Sequence, residues 1–135
     1  MAVSQRKRIP IVDDDPEIRE LVTVLLESIG FLVTAVGGAN AAIALIASEM
    51  PDAILTDIHM AEGDGVELIN AVRNRGLKIP IVVMSGGSRT FGSDHLELAR
   101  KLGAAAIVDK PFRASHLAES IDRAIGGRVA PPGRS

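Results

Sequence analysis

Five short apolar runs, each followed by a turn and a helix-like stretch, constrain this chain more than any other feature. The runs are Ile9–Val12, Phe31–Val36, Ala53–Leu55, Ile79–Met84 and Ala104–Val108. They are largely continuous rather than alternating, as strands are when both of their faces are covered. A strand–helix unit repeated five times predicts an α/β fold, a doubly wound five-stranded parallel sheet with five helices on its two sides. Such a fold is a single domain, which the length of 135 residues also suggests.

The punctuation between the runs agrees. Asp15-Pro16 reads as a helix start, with an oxygen-bearing cap before a proline whose missing N–H costs nothing there. Ile18, Leu21, Val22, Leu25, Leu26 and Ile29 then recur at helical spacing, and Gly30 ends the helix. A second helix is expected over Ala39–Glu49 and is stopped by Pro51. A third is capped by Asp64, carries Val66, Leu68, Ile69 and Val72, and closes at Gly76. A loop from Ser85 to Gly92 precedes a helix from Ser93 to Leu102, and the last helix covers Ser115–Ile125. Pro10 is the one local conflict, because proline cannot donate to a sheet ladder. Residues 1–8 read as a flexible N-terminus, 9–125 as the domain, and 126–135, with Pro131-Pro132, as a flexible tail. That tail is too short to fold into an output domain, so a stand-alone unit is expected.

Composition removes several classes of function. The formal net charge of -2 gives no reason to expect a nucleic acid or an acidic membrane as partner. Cysteine is absent, so neither a disulfide framework nor a thiolate metal site can form. No apolar run approaches the ~20 residues of a membrane span, and no signal-peptide core follows the basic N-terminus. A cytoplasmic protein is expected.

Candidate chemistry gathers where the strands end. In open parallel sheets, ligands sit outside the carboxyl ends of the strands. The predicted strand ends bring Asp13 and Asp14, Asp57, Ser85 and Lys110 to that edge. Each alone has an ordinary structural reading, as a cap, a loop hydroxyl or a solvated ammonium. Together, three carboxylates and one ammonium leave excess negative charge, which a divalent cation would balance. All-oxygen ligation points to Mg2+. A metal, a lysine, a hydroxyl and a nucleophilic carboxylate suit phosphoryl transfer. Spacing alone does not say which carboxylate is the nucleophile.

The segments Val12-Asp13-Asp14-Asp15-Pro16, Asp57-Ile58-His59-Met60 with Asp64-Gly65, Met84-Ser85-Gly86 and Lys110-Pro111-Phe112 together resemble the receiver domain of two-component response regulators. The resemblance implies a flavodoxin-like fold with strand order 2-1-3-4-5. It implies Asp57 as phosphoacceptor, and Asp13, Asp14, Asp57 and the backbone carbonyl of His59 as Mg2+ ligands. Ser85 falls at the switch hydroxyl and Lys110 at the phosphate-contacting lysine, before a bond to Pro111 that is cis in such domains. Implied partners are a sensor histidine kinase or a histidine phosphotransfer protein, and a downstream protein whose identity is unknown. The chain would then be a switch rather than an enzyme.

Three departures bear on signal output. Ala61 stands at the family's usual proline, Ile107 stands at the aromatic switch position, and the Ser85–Gly103 segment is longer than usual. With no Tyr in the chain, no tyrosine can rotate inward. The Gly86–Gly92 loop, carrying Phe91, is the expected substitute, changing partner binding through the loop and the helix after it. Phe91 could equally anchor that helix.

Two other readings fit less of the chain. Asp13 and Asp15 form the Asp-x-Asp pair of haloacid-dehalogenase-like phosphatases, but Glu17 replaces the expected Thr and the late acidic pair is missing. A degenerate adaptor or a flavin binder is disfavoured by the complete acid–Ser–Lys set and by the absence of Tyr and Trp.

Overall fold

In a computed structural model of the chain, the described residues are 6–58, 65–85, 97, 100–101, 103–110 and 113–126. They form five strands, β1 (Arg8–Val12), β2 (Leu32–Val36), β3 (Ile54–Asp57), β4 (Ile81–Ser85) and β5 (Ala106–Asp109). The described helices are α1 (Pro16–Ile29), α2 (Ala39–Ser48), α3 (Gly65–Asn74) and α4 (Ala114–Gly126). The strands are parallel and ordered β2-β1-β3-β4-β5, the doubly wound arrangement expected. The helix expected over Ser93–Leu102 lies mostly outside the described residues. Within it, Glu97, Arg100 and Lys101 are helical.

Both faces are buried at β1, β3 and β4, which is why those strands read as unbroken apolar runs, whereas β2 at the edge is largely exposed. One core joins Ile9, Ile11, Leu55, Val82, Met84 and Val108 to Val22 and Leu26 of α1 and to Leu117 and Ile121 of α4. The other joins Val12, Ile54, Ile81 and Val83 to Ala42 and Ile46 of α2 and to Leu68, Ile69 and Val72 of α3. Successive residues of β1, β3 and β4 thus alternate between two cores. Each fully buried aliphatic side chain contributes roughly 1.5–3 kcal/mol.

The caps behave as their residue types require. Asp15 accepts a hydrogen bond from the Glu17 backbone N–H at 2.9 Å, and Pro16 takes the first helical position. Gly30 adopts the left-handed conformation with φ 114°, so its own N–H and that of Phe31 reach carbonyls at the end of α1. The cap assigned to Asp64 lies outside the described residues.

Pro10 does sit inside β1, opposite Thr34 of β2. The Asp13 N–H donates to Val36 of β2, so by alternation the odd-numbered N–H groups of β1 face that strand. The donor that Pro10 lacks would point to the β3 side, where the paired register begins only at Ile11. β4 and β5 begin and end slightly later than their apolar runs suggested. Ile79 and Pro80 precede β4, and its last residue is Ser85. Pro80 uses its carbonyl rather than a donor, accepting from the Ile54 N–H.

Candidate functional site

β1, β3, β4 and β5 all run toward one edge, so parallel pairing alone collects their last residues. Asp57 ends β3 beside Met84 and one position short of Ser85, the end of β4. Ser85 in turn pairs with Asp109, and its carbonyl accepts from the Lys110 N–H at 2.8 Å. Asp13 and Asp14 follow directly on β1. Asp13, Asp57 and Ser85 are buried polar residues in a strand layer that is otherwise almost wholly apolar, and Asp14 is exposed.

Lys110 bridges the two buried acids. Its ammonium lies 3.1 Å from Asp13 Oδ2 and 3.5 Å from Asp57 Oδ1. Asp13 is held at every polar group that it has. Its N–H donates to Val36, and its carbonyl accepts from Arg19 Nη1 at 2.8 Å. Its Oδ1 accepts from the Asp15 N–H at 2.9 Å, and its Oδ2 takes Lys110. Asp57 Oδ1 also accepts from the Ile58 N–H at 3.0 Å.

These contacts do not compensate Asp57 fully. Burial, opposed by Lys110 and reinforced by Asp13, pushes its carboxyl up from the ordinary 3.8 to about 6. Asp13, Asp14 and Asp57 each offer a carboxylate oxygen, and these oxygens lie within 4.8 Å of one another. Oxygen donors at this spacing, around a carboxylate whose charge is under-compensated, fit a small divalent cation. The cation would bring positive charge to where Asp57 lacks it.

The structure brings together Asp13, Asp14, Asp57, Ser85 and Lys110 as the strand ends predicted. The His59 carbonyl, Ala61, Pro111 and the Gly86–Gly92 loop with Phe91 lie outside the described residues. Ile107 is half-buried in β5 opposite Val83, packed against the core under α2 and α3.

Two contributors, Arg19 and Thr56, were not singled out from the sequence, and a third, Gly65, was quoted there without a structural role. Arg19 holds the Asp13 carbonyl, although only the apolar stripe of α1 stood out. Thr56, fully buried, donates its hydroxyl to the Asp57 carbonyl at 2.9 Å. Gly65 opens α3 so close to β3 that a Cβ there would lie 2.6 Å from the Asp57 carbonyl oxygen. A close backbone approach is a common use of such a glycine.

Comparison with known proteins agrees with this architecture. A family model described as the response regulator receiver domain matches residues 9–122. The nitrogen assimilation regulatory protein NtrX of Azorhizobium caulinodans is 34% identical over 117 residues, covering 85% of this chain and 25% of that protein. The transcriptional regulatory protein FixJ of the same organism is 35% identical over 128 residues, covering 92% of this chain and 57% of FixJ. The chain thus spans from about a quarter to somewhat over half of these relatives' length. The crystal structure of the NtrX receiver domain from Brucella abortus superposes with a TM-score of 0.81 at 28% identity, covering 88% of this chain and 98% of that one. Among the described residues, no helix is long and apolar enough to cross a membrane. Matched in sequence over residues 9–122 and in fold to solved receivers, the chain belongs to the response regulator receiver domain family of two-component signal transduction.

Proposed function

We propose that this receiver accepts a phosphoryl group on Asp57 from a phosphohistidine, carried by a sensor histidine kinase or a histidine phosphotransfer protein. The observation that carries this reading is the convergence of Asp57, Asp13 and Lys110 within 3.5 Å contacts at the carboxyl edge. A carboxylate oxygen of Asp57 attacks phosphorus, the O–P bond forms as the P–N bond breaks, and the imidazole departs with the electron pair and is protonated. Asp13, Asp14 and Asp57, with the His59 carbonyl, would hold Mg2+. When bound, that ion neutralises phosphoryl oxygens and favours the ionised, nucleophilic form of Asp57.

The residues of the chain divide the remaining work. Lys110 supplies a second positive charge beside Asp57. Ser85, at the end of the neighbouring strand, offers a hydroxyl to an oxygen of the aspartyl phosphate. Gly65 leaves room for α3 to start against the Asp57 backbone. The acceptor is used once per transfer, so the domain acts as a switch in the cytoplasm and not as an enzyme. Phosphorylation would change the binding of a downstream protein through the loop and helix after Ser85. A formal charge of -2 supports a protein partner rather than nucleic acid for the domain itself.

Incubation with acetyl phosphate and Mg2+ tests the reading directly. One added phosphoryl group by intact mass is expected, mapped to Asp57 by peptide analysis. An unchanged mass, or phosphoryl on another residue, would overturn the assignment.

A further inference from the structure

Arg19 is a half-buried cation on α1 whose only described hydrogen-bonding role beyond its own helix is at the acidic edge. Its Nη1 donates to the Asp13 carbonyl at 2.8 Å. That carbonyl belongs to the peptide unit joining Asp13 to Asp14. A planar peptide fixed at its oxygen also has its nitrogen fixed, and with it the direction in which the Asp14 Cα leaves. Asp13 needs no such help, since its N–H and both carboxylate oxygens are already held. Asp14, the exposed member of the acidic pair, is attached directly to the nitrogen of this peptide.

The seat of the guanidinium is also particular. A Cβ on Gly37, in the turn after β2, would come within 3.2 Å of Arg19 Nη1. Gly37 is not among the glycines with positive φ, so its backbone does not require glycine. The absent side chain therefore matters for the room it leaves beside Arg19. One arginine thus spans the end of β1, the start of α1 and the β2–α2 turn.

We infer that Arg19 is a positioning residue that aims Asp14 at the divalent cation by holding the Asp13–Asp14 peptide. This rests on the proposed use of Asp13, Asp14 and Asp57 as metal ligands. Coulomb's law alone assigns Arg19 the opposite effect, because a guanidinium at the acidic edge repels a cation. Removing it should tighten metal binding if only its charge mattered, and loosen binding if it aims a ligand.

The chain contains no Trp or Tyr, so Mg2+ affinity is best read by calorimetry, with Mn2+ electron paramagnetic resonance as a second probe. Arg19→Met is expected to weaken Mg2+ binding roughly tenfold, in the range seen when the groups that orient metal ligands are removed. Gly37→Ala keeps the charge but crowds the guanidinium, and should weaken binding about two- to threefold by the same mechanism. This second variant serves if Arg19→Met does not fold. In an Asp14→Ala background either change should have little further effect, because both act through Asp14. Unchanged or tighter binding in Arg19→Met and unchanged binding in Gly37→Ala, with the wild type binding normally, would overturn the role of Arg19 alone. Losses that add to that of Asp14→Ala would overturn it too. A wild-type protein that binds no Mg2+ overturns this inference together with the metal reading beneath it.

Discussion

The two ends of the sheet handle charge in opposite ways. At the amino edge, Arg73 of α3 donates to the carbonyls of Leu77, Ile79 and Gly103 at 2.9–3.0 Å, tying the approaches to β4 and β5 together. Asp52 likewise accepts from the Arg8 N–H at 2.7 Å, where β1 and β3 begin. Here charged groups serve backbone groups that loops would otherwise leave unpaired. At the carboxyl edge, Asp13 and Asp57 share one ammonium, and Asp57 remains poorly compensated. Burial lowers the basicity of Arg73 as it raises that of Asp57, so desolvation alone does not tell the two ends apart. What separates them is whether the neighbours complete the group or crowd it with like charge. A completed charge stabilises the fold, and a crowded one is available to bind a cation or react.

The comparison breaks most visibly at Asp57. Asp57→Asn should abolish phosphoryl uptake from acetyl phosphate while the fold persists, as read by intact mass and circular dichroism. Full uptake at the original rate would show that the nucleophile lies elsewhere.

Next in size is the pH dependence of the metal-free protein. The folded carboxyl at about 6 lies above the ordinary 3.8, so the native state holds a proton that the unfolded chain has released. Stability should therefore fall as pH rises between these values, by ~3 kcal/mol in all, and lose no more from this group above them. Urea unfolding of wild type and Asp57→Asn at several pH values isolates the effect. The variant should be the more stable at pH 7, and the two should converge below pH 4. Added Mg2+ should narrow the gap at pH 7. Parallel pH profiles would mean that Asp57 is not under-compensated.

Arg73→Met should cost ~2 kcal/mol, because three carbonyls lose a charged donor at a partly exposed site. Phosphoryl uptake by the folded fraction should be unchanged. A selective loss of uptake would show that the two edges are not separable.

The smallest effect sharpens the contrast within one turn. Asp15→Ala removes a helix cap and should cost ~1 kcal/mol without altering Mg2+ affinity. Asp14→Ala should weaken Mg2+ binding with little loss of stability. Equal losses of metal affinity, measured by calorimetry, would show that the two roles are misassigned.

Much of the fold and the site could be read from the chain because parallel strands convert sequence position into spatial position. Each apolar run had to be a strand of the sheet, and every residue just after a run had to reach the same edge. Asp13, Asp57, Ser85 and Lys110 meet for that reason. Pro10 looked like a conflict because its effect depends on which neighbour its nitrogen faces, and a run of apolar letters does not carry that. Arg19, Arg73 and Thr56 passed unnoticed for a related reason. Each works by donating to a carbonyl, and every residue has a carbonyl, so no pattern of residue types marks the acceptor.

Sequence by itself determined the sheet, its two cores and the set of side chains at its carboxyl edge, since these follow from apolar runs and the turns between them. Tertiary structure alone decided how neighbouring acids differ. Asp13 is buried and held at every polar group, whereas Asp14 beside it is exposed. The cause is local geometry. β1 ends at Val12, so Asp13 still lies within the sheet layer beside Val36 and under Lys110, and Asp14 is the first residue to leave it. Burial and charge act over a few ångströms, and only the folded chain sets distances on that scale.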